Sequence, residues 1–89
     1  MDVVLKVSSK SNPNLVAGAL AGTIKESGRA ELMAIGAGAI NHAVKAVAIT
    51  RNMFAQSDIN IDLVCIPSFA DLKIDDEIRT SIKLIVEPR

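Results

Sequence analysis

Aromatic side chains are almost absent: Phe54 and Phe69 are the only two, and there is no tryptophan or tyrosine. Modules that stack bases on rings need several aromatics on one surface, so that mode of recognition has little to work with. One cysteine, Cys65, excludes an intramolecular disulfide. Cys65 and the single His42 are too few for a Cys/His zinc site within one chain. Charge of one sign is lacking too, because ten basic and ten acidic residues cancel. That removes a strongly basic nucleic-acid binder at the level of net charge. No apolar run approaches the roughly 18 residues of a spanning helix. The start, Met1-Asp2-Val3-Val4-Leu5-Lys6, has neither the basic region nor the cleavage pattern of a secretion signal. A cytoplasmic protein with no membrane partner is the expectation.

What is present fits a folded chain. Hydrophobic residues make up 49% of the 89 and charged residues 22%, the composition of a globular domain. A chain this short buries roughly 60% of its unfolded surface, so one domain over residues 1–89 is expected. Val3 to Val7 reads as a strand. Asn12-Pro13 opens a helix, with Asn at the cap and Pro at the first helical position. Leu15, Val16, Ala19, Leu20 and Ile24 recur at helical spacing, and Gly28 provides a left-handed stop. The first helix therefore spans Pro13 to Ser27. Ala30 to Ile35 is a second strand. Gly36-Ala37-Gly38 turns into a second helix whose apolar stripe is Ile40, Ala43, Val44, Val47, Ala48 and Phe54. Ile59 to Ile66 is a third strand, with Pro67 ending its regular pairing. Phe69 to Ile74 and Arg79 to Val86 read as hairpin arms closed near Asp75-Asp76-Glu77.

The order β-α-β-α-β-β implies an α+β, two-layer fold. Right-handed crossovers put both helices on one face of a mixed four-stranded sheet. Ala17, Gly18, Ala21 and Gly22 suggest close packing of the first helix, because a helical glycine costs about 1 kcal/mol against alanine. Lys83 and Ile85 alternate to one side of the last strand; Ile82, Leu84 and Val86 go to the other. The face away from the helices is then partly apolar, as a dimer surface would be. Residues 1–54 hold six cations against three anions, a net +3, and residues 55–89 hold four against seven, a net −3. A neutral total thus conceals a dipole.

Two strand-to-helix turns are candidate anion sites. In Ser8-Ser9-Lys10-Ser11-Asn12, unpaired amides and hydroxyls surround a lysine at a helix N-terminus, which suits phosphate. The same residues also read as an ordinary capped loop. Gly36-Ala37-Gly38-Ala39-Ile40-Asn41 brings amides to the second helix start, but it lacks the third glycine of a dinucleotide fingerprint and the Lys-Ser/Thr of a P-loop. Following adjacent parallel strands, both turns should open on one edge of the sheet. Asp75-Asp76-Glu77 reads as a solvated turn, since hard cations need converging oxygens. His42 has no nucleophile partner nearby in sequence, and Cys65 reads as inert core. Neither a catalytic constellation nor a cofactor site emerges, and a non-enzymatic protein is expected.

The segments Leu5–Asn14, Val16–Gly22, Ala34–Ala39 and Asn41–Ile49 closely resemble the stage V sporulation protein S family. So do Cys65-Ile66-Pro67 and Ile82–Arg89, and the likeness spans essentially the whole chain. Members are regulators of spore development. Their fold is related to the Alba chromatin proteins, which bind DNA and RNA as dimers. Gly38-Ala39-Ile40, Ala43-Val44 and Arg51-Asn52-Met53-Phe54 look like the Alba pattern at its second helix. The resemblance implies Lys10 as a loop lysine, with contacts also from the second helix turn and the hairpin. Two departures matter: the turn before the second helix is not basic here, and the hairpin tip is acidic, which repels a phosphate backbone. The expected nucleic-acid set is Ser9, Lys10, Ser11, Asn12, Gly36, Gly38, Asn41, Lys45, Lys73 and Arg79, in a homodimer that grips phosphates weakly and without base specificity. The competing expectation is an interaction module for a protein partner or a small anionic ligand.

Overall fold

Asn12 and Gly28 set the ends of the first helix in the computed structural model, which describes residues 3–89. Met1 and Asp2, on which part of the N-terminal reading falls, lie outside the described residues. The Asn12 side chain accepts the Asn14 N–H at 2.9 Å, and Pro13 opens helix α1, Pro13–Ser27. Gly28, at φ +83°, returns its N–H to the Ile24 carbonyl at 2.8 Å. Such a left-handed closure favours glycine. Helix α2 spans Ala37–Gln56 and begins at Gly36, whose φ of 92° and ψ of 156° belong to a region nearly closed to other residues.

The strands are β1 (Val4–Val7), β2 (Ala30–Ala34), β3 (Leu63–Ile74) and β4 (Glu77–Pro88), in the spatial order β1-β2-β4-β3. Strand β1 runs parallel to β2, while β4 pairs antiparallel with both β2 and β3. The fold is α+β with a mixed four-stranded sheet, as the sequence implies.

One face of the sheet carries the core. Val7 of β1, Ala30, Leu32 and Ala34 of β2, and Leu84 and Val86 of β4 join one buried cluster with Leu20, Ala21 and Ile24 of α1 and with Ala39, Ala43, Val47 and Phe54 of α2. Both helices therefore lie on that face. Phe54 is its largest member, 1% exposed, with the Lys25 ammonium 5.8 Å from the ring centroid. The opposite, open face carries Val4, Lys6, Glu31, Met33, Lys83 and Ile85, interleaved along the strands with the buried residues.

Several readings need correction, the apolar stripes among them: Leu15 and Val44 are 74% and 53% exposed, and the buried faces run instead through Ala17 and Ala21 on α1 and through Ala39, Ala46 and Thr50 on α2. Gly18 and Gly22 do not mediate close packing: both are exposed, and a Cβ at either would meet nothing within 4 Å. The helices meet instead through buried alanines, and the Thr50 hydroxyl reaches the Ala17 carbonyl at 3.2 Å. Ile59–Ile66 and Phe69–Ile74 are not separate strands, because β3 runs unbroken through Pro67, opposite Leu84. Strand β3 is an edge, where a missing N–H costs no ladder bond if it points outward. Cys65 is exposed rather than core, because its edge strand lies beyond the helices. Partial burial still pushes the Cys65 thiol pKa up. Finally, β1 starts at Val4 and β2 stops at Ala34, leaving Val3 and Ile35 just outside.

A candidate anion-binding end of the sheet

Because β1 and β2 are parallel neighbours, the turns that follow them emerge at the same end. Their contact is direct. His42 Nδ1 of α2 lies 3.3 Å from the Ser8 carbonyl oxygen. A Cβ on Gly38 would stand 3.1 Å from the Ser9 Cβ. Gly38 is thus small for a reason: the first loop rests on the second helix start. Ser9, Lys10, Asn12, Gly36, Gly38, Asn41 and Lys45 are all exposed there, and Ser11 is half-buried. Asn41 and Lys45 are one turn apart on α2, so they share a face of that helix.

The loop spends more of its donors than the sequence suggests. The Lys10 N–H donates to Ser8 Oγ at 3.1 Å, and the Ser11 N–H to the Ser8 carbonyl at 3.1 Å. The Ser8 N–H donates to Ser11 Oγ at 2.9 Å. Asn12 occupies the Asn14 amide. These bonds fix the loop's shape and hold up Lys10, but they contradict the expectation of unpaired amides around it. The start of α2 is different, with no side-chain cap on its first turn. Donors at this end therefore come mainly from α2, where the helix dipole also favours an anion.

The hairpin reaches the same end. Register pairs Ala34, the last residue of β2, with Ile82. Beyond that point β3 and β4 continue as a two-stranded arm from Ala70–Ser81 to Ile74–Glu77. It contributes to a long axis of 46 Å. Asp75 and Asp76 close it at φ 50° and 63°, the left-handed pair that a two-residue type I′ turn requires. Turn chemistry thus accounts for two of the three tip acids. Among the described residues, no group of three or more His, Cys, Asp or Glu is arranged to hold a metal.

Lys73 and Arg79 are both exposed on this arm. Lys73 lines a cavity with Ser8 and Ser9, so it adjoins the Lys10 loop. It also pairs with Asp76 at 3.9 Å, with both groups open to water, which is worth little. Arg79 stands opposite Leu72. Among the described residues, no hydrogen bond or ion pair joins Lys45 or Arg79 to the loop.

Two cations escape the sequence reading. Lys6, Met33, Lys83 and Ser68 form one row across the open face, in register from β1 to β3. Alternation alone could assign Lys6 and Lys83 to faces. Only the strand order β1-β2-β4-β3 shows them flanking one methionine. No helix among the described residues is long and apolar enough to cross a membrane. Over residues 3–89 the chain matches the family model described as stage V sporulation protein S.

Proposed function

The chain belongs to the stage V sporulation protein S family and is sporulation-associated, and from that premise we propose that it is a non-enzymatic, homodimeric, cytoplasmic regulator that binds DNA or RNA by its backbone phosphates, weakly and without sequence preference. The observation that carries this reading is the seating of the Ser8–Asn12 loop on the uncapped start of α2, through Ser9 against Gly38 and His42 beside Ser8. Lys10 supplies the full charge, α2 its first amides, and Asn12, Asn41 and Lys45 flank them. Lys73 and Arg79 extend the cationic surface onto the arm. The acids Asp75, Asp76 and Glu77 limit how far a polyanion can follow it.

Few cations mean a shallow salt dependence, because log K falls by about 0.9 per phosphate neutralised on duplex DNA. The test is titration with duplex DNA, single-stranded DNA and RNA at two salt concentrations, with solution mass measured alongside. Lys10→Ala should weaken binding uniformly across sequences and reduce the slope by about one. Unchanged affinity at both salts would remove Lys10 from the site.

A second reading, docking of a protein partner, is favoured by a different observation. Phe69 and Ile78 are 79% and 75% exposed. Pairing opposite Ile82 and Lys73 puts them on the core-facing side of β3 and β4, beyond the helices. Absence of polyanion binding by the unaltered chain, even at low salt, would favour this reading.

A further inference from the structure

The open face of the sheet is not flat where the arm leaves it. Leu72 and Ile74 of β3 curve toward Met33 and Ile35, and these four help to line an open cavity of about 420 Å³. That lies within the roughly 300–1,000 Å³ of small-molecule sites. Met33, Ile35 and Leu72 are each half-buried there, with no helix covering them. Lys6, Val7, Ser8, Ser9 and Lys73 complete the lining, Lys73 from a position that alternates to the opposite face from Leu72 and Ile74. Lys83 follows in the same cross-strand row, beyond Met33 from Lys6. Of the acids nearby, Glu31, in the next row, is 3.5 Å from Arg29, and Glu77 stands opposite Ile74 at the outer end of the arm.

We propose that this cavity is a binding site for a small organic anion, a phosphate, sulfonate or carboxylate on an apolar body. The body rests on Met33 and Ile35 against Leu72 and Ile74, and the charge lies beside Lys6, with Lys83 beyond Met33 in the same row. An inorganic ion would leave the apolar lining unused. An uncharged ligand would leave the Lys6 ammonium at the cavity rim without a counter-charge. The site shares Ser8 and Ser9 with the loop of the phosphate reading above, but its apolar lining and Lys6 belong to the open face rather than to the helix starts.

The probe is anilinonaphthalene sulfonate, titrated by fluorescence against the whole chain, with amide NMR spectra to map the contact and to check folding. Enhancement should saturate, and shifts should centre on residues 33, 35, 72 and 74. Phenyl phosphate should displace the probe at concentrations where inorganic phosphate does not. Lys6→Glu and Leu72→Asp should each weaken binding at least about fivefold, a change readily resolved in Kd. Phe69→Ser and Lys10→Ala should leave it unchanged, which separates this site from the exposed arm patch and from the polyanion surface. If Leu72→Asp does not fold, the exposed charge reversal at Lys6 decides alone. The proposal is overturned by no enhancement, by equal displacement with inorganic phosphate, by full binding in Lys6→Glu, or by loss of binding in Phe69→Ser.

Discussion

Gly18 and Gly22 offer a test whose sign depends on what surrounds helix α1. Both lie mid-helix on its exposed side, one turn apart, with open space where a Cβ would stand. Replacing each with alanine removes backbone freedom from the unfolded chain and introduces no clash in the folded one. The helical gain is about 1 kcal/mol per site, so Gly18→Ala/Gly22→Ala should gain about 2 kcal/mol. With a urea m-value of about 1 kcal/mol per molar, the midpoint moves up by about 2 M. In heat, each kcal/mol corresponds to about 4–8 °C for a chain of this size. The assay is equilibrium urea unfolding followed by circular dichroism, with m unchanged between variant and parent. A lower midpoint would refute the reasoning. It would mean that something covers this helix face in solution and that the added methyl groups collide with it.

Other perturbations carry equally definite signs. Gly36→Ala meets no neighbour but must hold φ at 92°, so it should lose about 1–3 kcal/mol of stability in urea unfolding. Phe54→Ala empties the largest fully buried site and should cost about 3–5 kcal/mol, enough to leave a visible unfolded fraction in a domain of ordinary stability. Cys65 titrates above its ordinary range because burial disfavours the thiolate. Its reaction with a disulfide reagent should therefore be slower than that of a free thiol at mildly alkaline pH, reaching half-maximal rate at higher pH. The same shift fixes a stability trend: the unfolded thiol ionises first, so this contribution is full below the unfolded pKa and is lost as pH rises through the folded one. A rate profile with its midpoint at or below that of the unfolded chain would contradict the assignment.

Features decided by neighbouring residues were legible in the sequence. Asn12-Pro13 and Gly28 bound α1 because a cap, a fixed φ and a left-handed stop act within a few bonds. Features that depend on a partner element were not. Small residues at positions 17, 18, 21 and 22 look alike in sequence, yet Ala17 and Ala21 are buried while Gly18 and Gly22 face water. That rotation is set by where α2 lies. Pro67 seemed to end a strand because its tolerance depends on lying at an edge, and the position of β3 follows only once β4 inserts beside β2. Cys65 was misplaced for the same reason. Of the candidate site, the shared end of the two turns followed from parallel strands, but the internal bonds that occupy the Ser8–Asn12 amides depend on the folded loop.

The ribbon beyond Ala34 and Ile82 has a mechanical meaning. Its last rungs are hydrogen-bonded in the ladder only to each other, without a third strand alongside. A cantilever of this kind can bend or fray at its free end while its root stays clamped in the sheet. The Asp75-Asp76 turn is therefore a natural graft point: a short guest peptide placed there would ride on the ribbon and leave the cluster around Phe54 undisturbed.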